Sequence, residues 1–204
     1  MKMRYLPLAS LLPLLFAGSV GAASPEVEAL LKPCAECHGS DGIAVKPAVP
    51  HLNGQLSGYL SESMAKIQSG KRPTAVPGHL PAAIGAAQRE EIAQYFAGIK
   101  PARPAQTGVD AAKAAQGEAI YQKRCADCHP DNGRESDKDA PLMAGQNLEF
   151  LIAESELFTK GKRKFAFLQD EAYQGLGAAE LESVAHFFAS QDPVPPPKTK
   201  KKRR

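Results

Sequence analysis

The feature that most constrains this chain is a short cysteine motif that occurs twice. Cys34-Ala-Glu-Cys37-His38 recurs 91 residues later as Cys125-Ala-Asp-Cys128-His129. The 204 residues include four cysteines, and the two motifs contain all of them. Two copies at one offset indicate a duplicated unit in which each pair of thiols, with its histidine, has a specific chemical role.

The same offset relates further positions, which we follow without a gap from the cysteine motif to the end of each unit. The matching positions are Gly42 and Gly133, Pro50 and Pro141, Gly54-Gln55 and Gly145-Gln146, Gly70-Lys71-Arg72 and Gly161-Lys162-Arg163, and Phe96 and Phe187. The period is too long for a solenoid repeat and predicts two small globular domains. We place them at 24–99 and 110–192, with a Pro-rich linker over 100–109.

Each unit is predicted to contain three helices. The expected spans are 25–32, 56–69 and 88–99 in the first unit, and 111–124, 148–160 and 178–190 in the second. No run alternates β-branched and polar residues for long, so the predicted fold class is all-α. A unit of about 80 residues with few apolar side chains has a thin core, and such units are usually stapled by disulfides, a metal or a buried cofactor.

The two ends of the chain differ from its body. Lys2 and Arg4 precede an uncharged, largely apolar run over 5–25 that ends in small residues. This pattern is typical of a secretory signal peptide, here 1–23, and predicts export to a bacterial periplasm. The alternative is an uncleaved anchor helix, which Pro7 and Pro13 disfavour.

The formal net charge of +3 conceals an acidic body. Six basic residues lie in 198–204, after a Pro-rich stretch, and we expect 193–204 to be a disordered arm. Residues 24–197 contain 17 basic and 22 acidic side chains, a formal charge of −5. Nucleic-acid binding is therefore disfavoured. The basic tail either docks weakly to an acidic partner or an anionic membrane surface, or has no role.

Cys-x-x-Cys-His is the attachment motif of c-type haem. Two thiols add to the vinyl groups of the porphyrin, and the adjacent imidazole binds the iron. The motifs therefore predict two covalently bound haem c groups, which would supply the missing core. Cys34, Cys37, Cys125 and Cys128 are the predicted attachment residues, and His38 and His129 the predicted iron ligands.

Two other interpretations of the motifs are weaker. A zinc site with two cysteine pairs usually has the pairs within about 20 residues of each other, whereas 91 separate them here. A thiol redox pair needs no histidine in both copies.

With these motifs, the chain resembles the dihaem class I cytochromes c of the cytochrome c4 type, and especially the cytochrome subunit of flavocytochrome c sulfide dehydrogenase. The resemblance covers nearly all of 24–191 and rests on three further repeated elements: PHLNGQ and PLMAGQ, SGKR and KGKR, and QYFAG and HFFASQ. It implies two tandem class I cytochrome c domains related by a pseudo-twofold axis, and periplasmic electron transfer.

The sixth iron ligand is where the chain departs from that family. The resemblance implies a methionine in the loop before each closing helix, but neither 73–87 nor 164–178 contains one. In the first loop we predict that His79 replaces it, with His51 as a weaker alternative. The second loop has neither Met nor His, so Met143, His186, Lys164, Tyr173 or an open position remains for the second iron.

The predicted function is electron transfer between redox proteins without catalysis by this chain itself. The resemblance implies a flavoprotein as one partner. The alternative is a haem enzyme or small-ligand binder that uses an open sixth position on the second haem.

Overall fold

The computed structural model describes residues 24–137, 140–164 and 171–194. The predicted signal peptide, the basic end of the tail and part of the second loop lie outside these ranges. Within them the regular structure is helical and no β-strand occurs, which confirms the all-α class. The helices are α1 Pro25–His38, α2 Ser57–Gln68, α3 Ala86–Ala97, α4 Ala111–Arg124, the one-turn α5 Pro130–Gly133, α6 Leu148–Thr159 and α7 Ala178–Ser190. None of the helices in the described ranges is long and apolar enough to cross a membrane.

The first helix is longer than its sequence predicts. Ser24 caps it by accepting a hydrogen bond from the N–H of Val27, at 3.3 Å. The expected end was Lys32, but the helix continues through Pro33 to His38. Gly39 then ends it, with a φ of +73° that favours glycine. The extension places both cysteines and the histidine of the first motif on the last turns of one helix.

The closing helix of each unit organises a hydrophobic core. In the first unit α1 and α2 pack against α3, and in the second unit α4 and α6 pack against α7. The buried apolar residues of the first unit are Val27, Leu60, Ile84, Ile92, Ala93 and Phe96. Those of the second are Tyr121, Leu148, Leu151, Val184, Ala185, Phe187, Phe188 and Ala189. Cys125 and Ala126 of the second cysteine motif pack directly against the second of these clusters.

The contact of α4 with α7 is closer than that of α1 with α3. A Cβ on Gly117 of α4 would lie 2.0 Å from the backbone oxygen of Ser183 in α7, so only glycine fits there. The corresponding residue of α1 is Glu26, and α1 packs against α3 over a smaller area. The duplicated units therefore differ in how their first and last helices cross.

The gapless correspondence predicted from the sequence is wrong in the closing helix. The N–H of Gly54 donates to Phe96 O and the N–H of Gly145 donates to Phe188 O, each at 2.9 Å. Phe96 is therefore matched by Phe188 rather than by Phe187. The second unit has one residue more before α7, and the offset of 91 becomes 92 beyond that point.

The linker contributes to the contact between the units. The guanidinium of Arg103 donates to Asn53 Oδ1 and O of the first unit, and to Ala144 O of the second, at 2.8–3.2 Å. Burial lowers the pKa of this guanidinium to about 10. Arg103 thus connects three segments that are far apart in the sequence.

Candidate haem sites

The first cysteine motif presents its histidine in a defined orientation. His38 is buried at the end of α1, and its Nδ1 lies 3.0 Å from the carbonyl oxygen of Pro50. Cys34 and Cys37 are free thiols on the same helix. Burial raises the pKa of the Cys34 thiol.

The second motif repeats this arrangement after α4. His129 Nδ1 lies 2.8 Å from the carbonyl oxygen of Pro141, and Cys125 and Cys128 are free thiols. Burial raises the pKa of Cys125 to about 11. The second unit adds a support, because the Tyr121 hydroxyl donates to the backbone oxygen of His129 at 2.8 Å.

These hydrogen bonds determine which ring nitrogen is available to iron. A carbonyl only accepts, so Nδ1 of His38 and of His129 carries the proton and Nε2 keeps its lone pair for a metal. Burial lowers the pKa of both histidines, which favours the neutral ring. Two free thiols and one oriented imidazole in each unit fit the covalent attachment of haem c.

The two cysteine pairs do not meet in one zinc site. Over the described part of the chain, which contains all four cysteines, no group of three or more His, Cys, Asp and Glu side chains is arranged to hold a metal ion. The motifs act separately, one in each unit.

The ring of His79 lies close to that of His38. The two ring centroids are 5.9 Å apart with an interplanar angle of 68°. Two imidazoles that each bound one iron through a metal–nitrogen bond of about 2 Å would have centroids within roughly 6 Å of each other. His79 is an exposed loop residue, but partial desolvation and then the charge of Arg72 lower its pKa and favour the neutral ring. The loop that lacks a methionine thus supplies an imidazole at a suitable distance.

His51, the weaker alternative, is held by the protein. Its Nδ1 accepts from the N–H of Ala44 at 2.9 Å, and its Nε2 lies 3.2 Å from the side-chain amide of Gln106. Burial, and then the charge of Arg103, lower its pKa to about 4. With both nitrogens occupied, His51 is a structural residue of the buried interface.

The structure places three of the side chains considered for the second iron. His186 is buried in α7, and its Nδ1 accepts from the N–H of Asp110 at the start of α4. Met143 packs against the core of the second unit. Tyr173 lies 5.5 Å from Phe158 between ring centroids, and burial raises its pKa to about 12.

A buried ionic cluster between the units could not be predicted from the sequence. Arg72 and Arg163, which match at the offset of 91, both pair with Glu154. The side chains are 9% exposed for Arg72 and 16% for Arg163 and Glu154, and Arg72 also contacts the hydroxyl of Tyr59. The repeated Gly-Lys-Arg element was the only signal of this cluster in the sequence. Glu154 lies in the other unit, 82 residues from Arg72.

Comparisons with known proteins find a matching family model and similar proteins. The family model described as cytochrome c oxidase, cbb3-type, subunit III matches residues 112–188. The thiosulfate dehydrogenase electron acceptor of Thiomonas intermedia is 27% identical over 96% of this chain and 97% of its own length. Cytochrome c4 of Pseudomonas aeruginosa is 30% identical over 64% of this chain and 68% of its own length.

A solved structure shows the same architecture. Reduced recombinant cytochrome c4 from Pseudomonas stutzeri superposes with a TM-score of 0.66 at 25% identity, covering 83% of this chain and all of the other. A helical chain with two Cys-x-x-Cys-His motifs and this architecture is a dihaem class I cytochrome c. The chain belongs to the cytochrome c4 family. It binds two haem c groups covalently and transfers electrons between redox partners.

Proposed function

We propose that this protein is an exported, periplasmic electron carrier with one haem c in each of two domains, 24–99 and 110–192. The attachment residues are Cys34 and Cys37 in the first domain and Cys125 and Cys128 in the second, with His38 and His129 as axial ligands. When bound, each haem iron cycles between ferric and ferrous states and so carries one electron.

The observation that carries this proposal is the matched orientation of the two histidines. Each Nδ1 is bonded to a proline carbonyl at equivalent positions, Pro50 and Pro141, which leaves each Nε2 free. Such an outer partner fixes the tautomer of a ligating histidine and raises its basicity. The chain's own contribution is to hold two such ligands neutral and fixed in orientation.

The first iron takes His79 as its sixth ligand in this proposal. The support is the 5.9 Å separation of the His38 and His79 rings. Replacing a thioether by an imidazole lowers the reduction potential, since thioether ligation favours the ferrous state. The first haem would then be easier to oxidise than a Met-ligated haem in the same pocket.

The proposed electron donor is an enzyme of the thiosulfate dehydrogenase class. The support is the end-to-end similarity to the Thiomonas intermedia electron acceptor. The resemblance to a flavocytochrome c subunit leads instead to a flavoprotein donor. The two donors are distinguishable because they act on different substrates and only one contains flavin.

Anaerobic stopped-flow spectroscopy tests the choice of donor. The oxidised protein is mixed with purified thiosulfate dehydrogenase and thiosulfate, or with a flavoprotein sulfide dehydrogenase and sulfide; controls omit the enzyme. We expect rapid reduction of two haems per chain with thiosulfate dehydrogenase and thiosulfate, and not with the flavoprotein and sulfide. Reduction by the flavoprotein alone would replace the proposed donor, and reduction by neither would refute both.

Export is tested separately from electron transfer. Cleavage after Ala22 or Ala23 would leave a mature chain that begins at Ala23 or Ser24. Mass spectrometry of the protein from a periplasmic extract should show this start and two added haems. A chain that retains Met1 in the membrane fraction would refute the export proposal.

A further inference from the structure

Two glutamines cross between the units in a reciprocal arrangement. Gln55 of the first unit donates from Nε2 to Leu142 O and accepts at Oε1 from Leu142 N–H, both at 2.9 Å. Gln146 of the second unit donates to His51 O at 3.0 Å and accepts from His51 N–H at 2.7 Å. The offset of 91 relates the two glutamines and also the two residues they bind. The same contact therefore occurs twice, once from the first unit to the second and once from the second unit to the first.

Each glutamine binds the peptide group that also holds a proposed haem ligand. The Pro50–His51 peptide accepts from His38 through its C=O and donates to Gln146 through its N–H. The Pro141–Leu142 peptide stands in the same relation to His129 and Gln55. Each axial histidine is thus one peptide group away from a glutamine of the other unit.

Peptide resonance lets a hydrogen bond at the N–H of a peptide change the charge on the carbonyl oxygen of the same peptide. An acceptor on the N–H increases the negative charge on the carbonyl oxygen of the same peptide, since hydrogen bonds in a chain polarise one another. A more negative carbonyl binds the Nδ1–H of the imidazole more strongly and makes Nε2 a stronger donor to iron. Stronger donation favours the ferric state and lowers the reduction potential.

These hydrogen bonds lie inside the protein, where water does not compete for the peptide groups. Gln55, Gln146 and His51 are all buried. Each glutamine oxygen also accepts the N–H of the residue that follows it, at 3.0 Å for Leu56 and 2.8 Å for Asn147, which fixes the side-chain amide in place. A buried amide with both of its ends bonded has one orientation, so its effect on the peptide is permanent.

We propose that Gln55 and Gln146 are positioning residues that act across the interface. Gln146 sets the orientation and basicity of His38, and Gln55 sets those of His129. This rests on the proposed assignment of His38 and His129 as axial ligands. Each haem would therefore have its potential tuned by the unit that does not bind it.

Because each glutamine is assigned to the haem of the other unit, the experiment compares both haems in each variant of the full-length holoprotein. Gln146→Leu and Gln55→Leu each remove one amide, and Gln106→Leu is the matched control because it removes an amide near His51 without touching the Pro50–His51 peptide. The midpoint potential of each haem is measured by spectroelectrochemistry, with the haems assigned by their paramagnetically shifted histidine resonances.

We expect Gln146→Leu to raise the potential of the first haem more than that of the second, and Gln55→Leu to do the reverse. Gln106→Leu should shift neither by a comparable amount. Equal shifts of both haems, a larger shift of the haem in the mutated unit, or no shift would overturn the proposal.

A second substitution covers the case in which Gln146→Leu does not fold. Gln146→Glu keeps an oxygen acceptor for the His51 N–H in either protonation state, so the potential of the first haem should not rise. An upward shift in this variant would contradict the proposed polarisation. Failure of the ligand assignment itself is seen separately in the wild type, as imidazole resonances of His38 or His129 without a paramagnetic shift.

Discussion

His38 and His129 show how one hydrogen bond prepares a side chain for a metal. Each imidazole meets a single carbonyl oxygen, that of Pro50 or Pro141. That contact selects the tautomer, and burial keeps the ring neutral. The motif alone predicts which histidines these are, but their outer partners, 12 residues further along the chain, could be identified only from the structure.

Substitution of His79 tests its proposed ligation of the first iron. His79→Met should raise the midpoint potential of the first haem by on the order of 0.1 V, a fraction of the roughly 0.8 V that axial ligands span. Spectroelectrochemistry measures the shift, and His51→Asn is the control. If His79→Met left the midpoint potential of the first haem unchanged, or if the control shifted it equally, His79 would not be a ligand of the first iron.

His51 should make stability depend on pH. Its pKa is about 4 when folded and near 6.5 when unfolded. Below pH 6.5 the unfolded chain therefore binds a proton that the folded chain does not. The free energy of unfolding should fall by on the order of 3 kcal/mol as the pH drops from 6.5 to 4.

His51→Asn isolates that contribution. The Asn side-chain oxygen can still accept from the Ala44 N–H, but it does not titrate in this range. Denaturant unfolding at several pH values should show a shallower decline for the variant than for the wild type. Parallel curves would mean that His51 titrates normally in the folded protein.

At the scale of elements, the helices of the second unit followed their predicted spans closely, because their capping signals are local. Asp110 caps α4 by accepting from the N–H of Lys113, and Gly177 precedes α7. The predicted end of α1 at residue 32 was wrong: Pro33 removes only one N–H from the ladder, and the helix continues to His38 before Gly39. The extra residue before α7 was missed because neither loop repeats the other.

The crossing of α4 and α7 depends on Gly117. Gly117→Ala would place a methyl group 2.0 Å from Ser183 O, and the helices would have to separate. We expect a loss of about 2 kcal/mol in the free energy of unfolding, as for other overpacked contacts. Chemical denaturation of the holoprotein measures it.

Gly58 offers the matched substitution. It lies in α2 with nothing within 4 Å of an added Cβ. Gly58→Ala should be neutral or stabilising by up to about 1 kcal/mol, because alanine favours a helix. Equal effects of the two substitutions would show that the close approach at Gly117 does not matter for stability.

At the scale of the molecule, the residues that join the two units repeat, but their contacts cannot be read from one sequence. Gln55 and Gln146 were visible as a repeated Gly-Gln element, and Arg72 and Arg163 as a repeated Gly-Lys-Arg element. Gln55, Gln146 and Arg72 all contact the opposite unit, and no local pattern encodes a partner more than 80 residues away. The duplication was predictable, whereas the interface it creates was not.

Removal of Glu154 should weaken that interface. Glu154→Gln leaves Arg72 and Arg163 close together without a carboxylate, and breaking a buried pair in this way typically costs about 3–5 kcal/mol. Denaturant unfolding should show this loss. Glu62→Gln is the control, since Glu62 is 63% exposed and pairs with Lys66 on the same helix, and it should change stability by less than about 1 kcal/mol. If Glu154→Gln changed the free energy of unfolding as little as Glu62→Gln, the ionic cluster would contribute little to stability.

The most direct test of the central claim is the near-infrared magnetic circular dichroism spectrum of the oxidised wild-type protein, which identifies the axial ligands of each iron. We expect two haem c groups per chain, each with at least one imidazole ligand. The signature of two imidazole ligands should belong to the first haem only. A single haem per chain, or a thioether signature at the first iron, would contradict the structure proposed for this electron carrier.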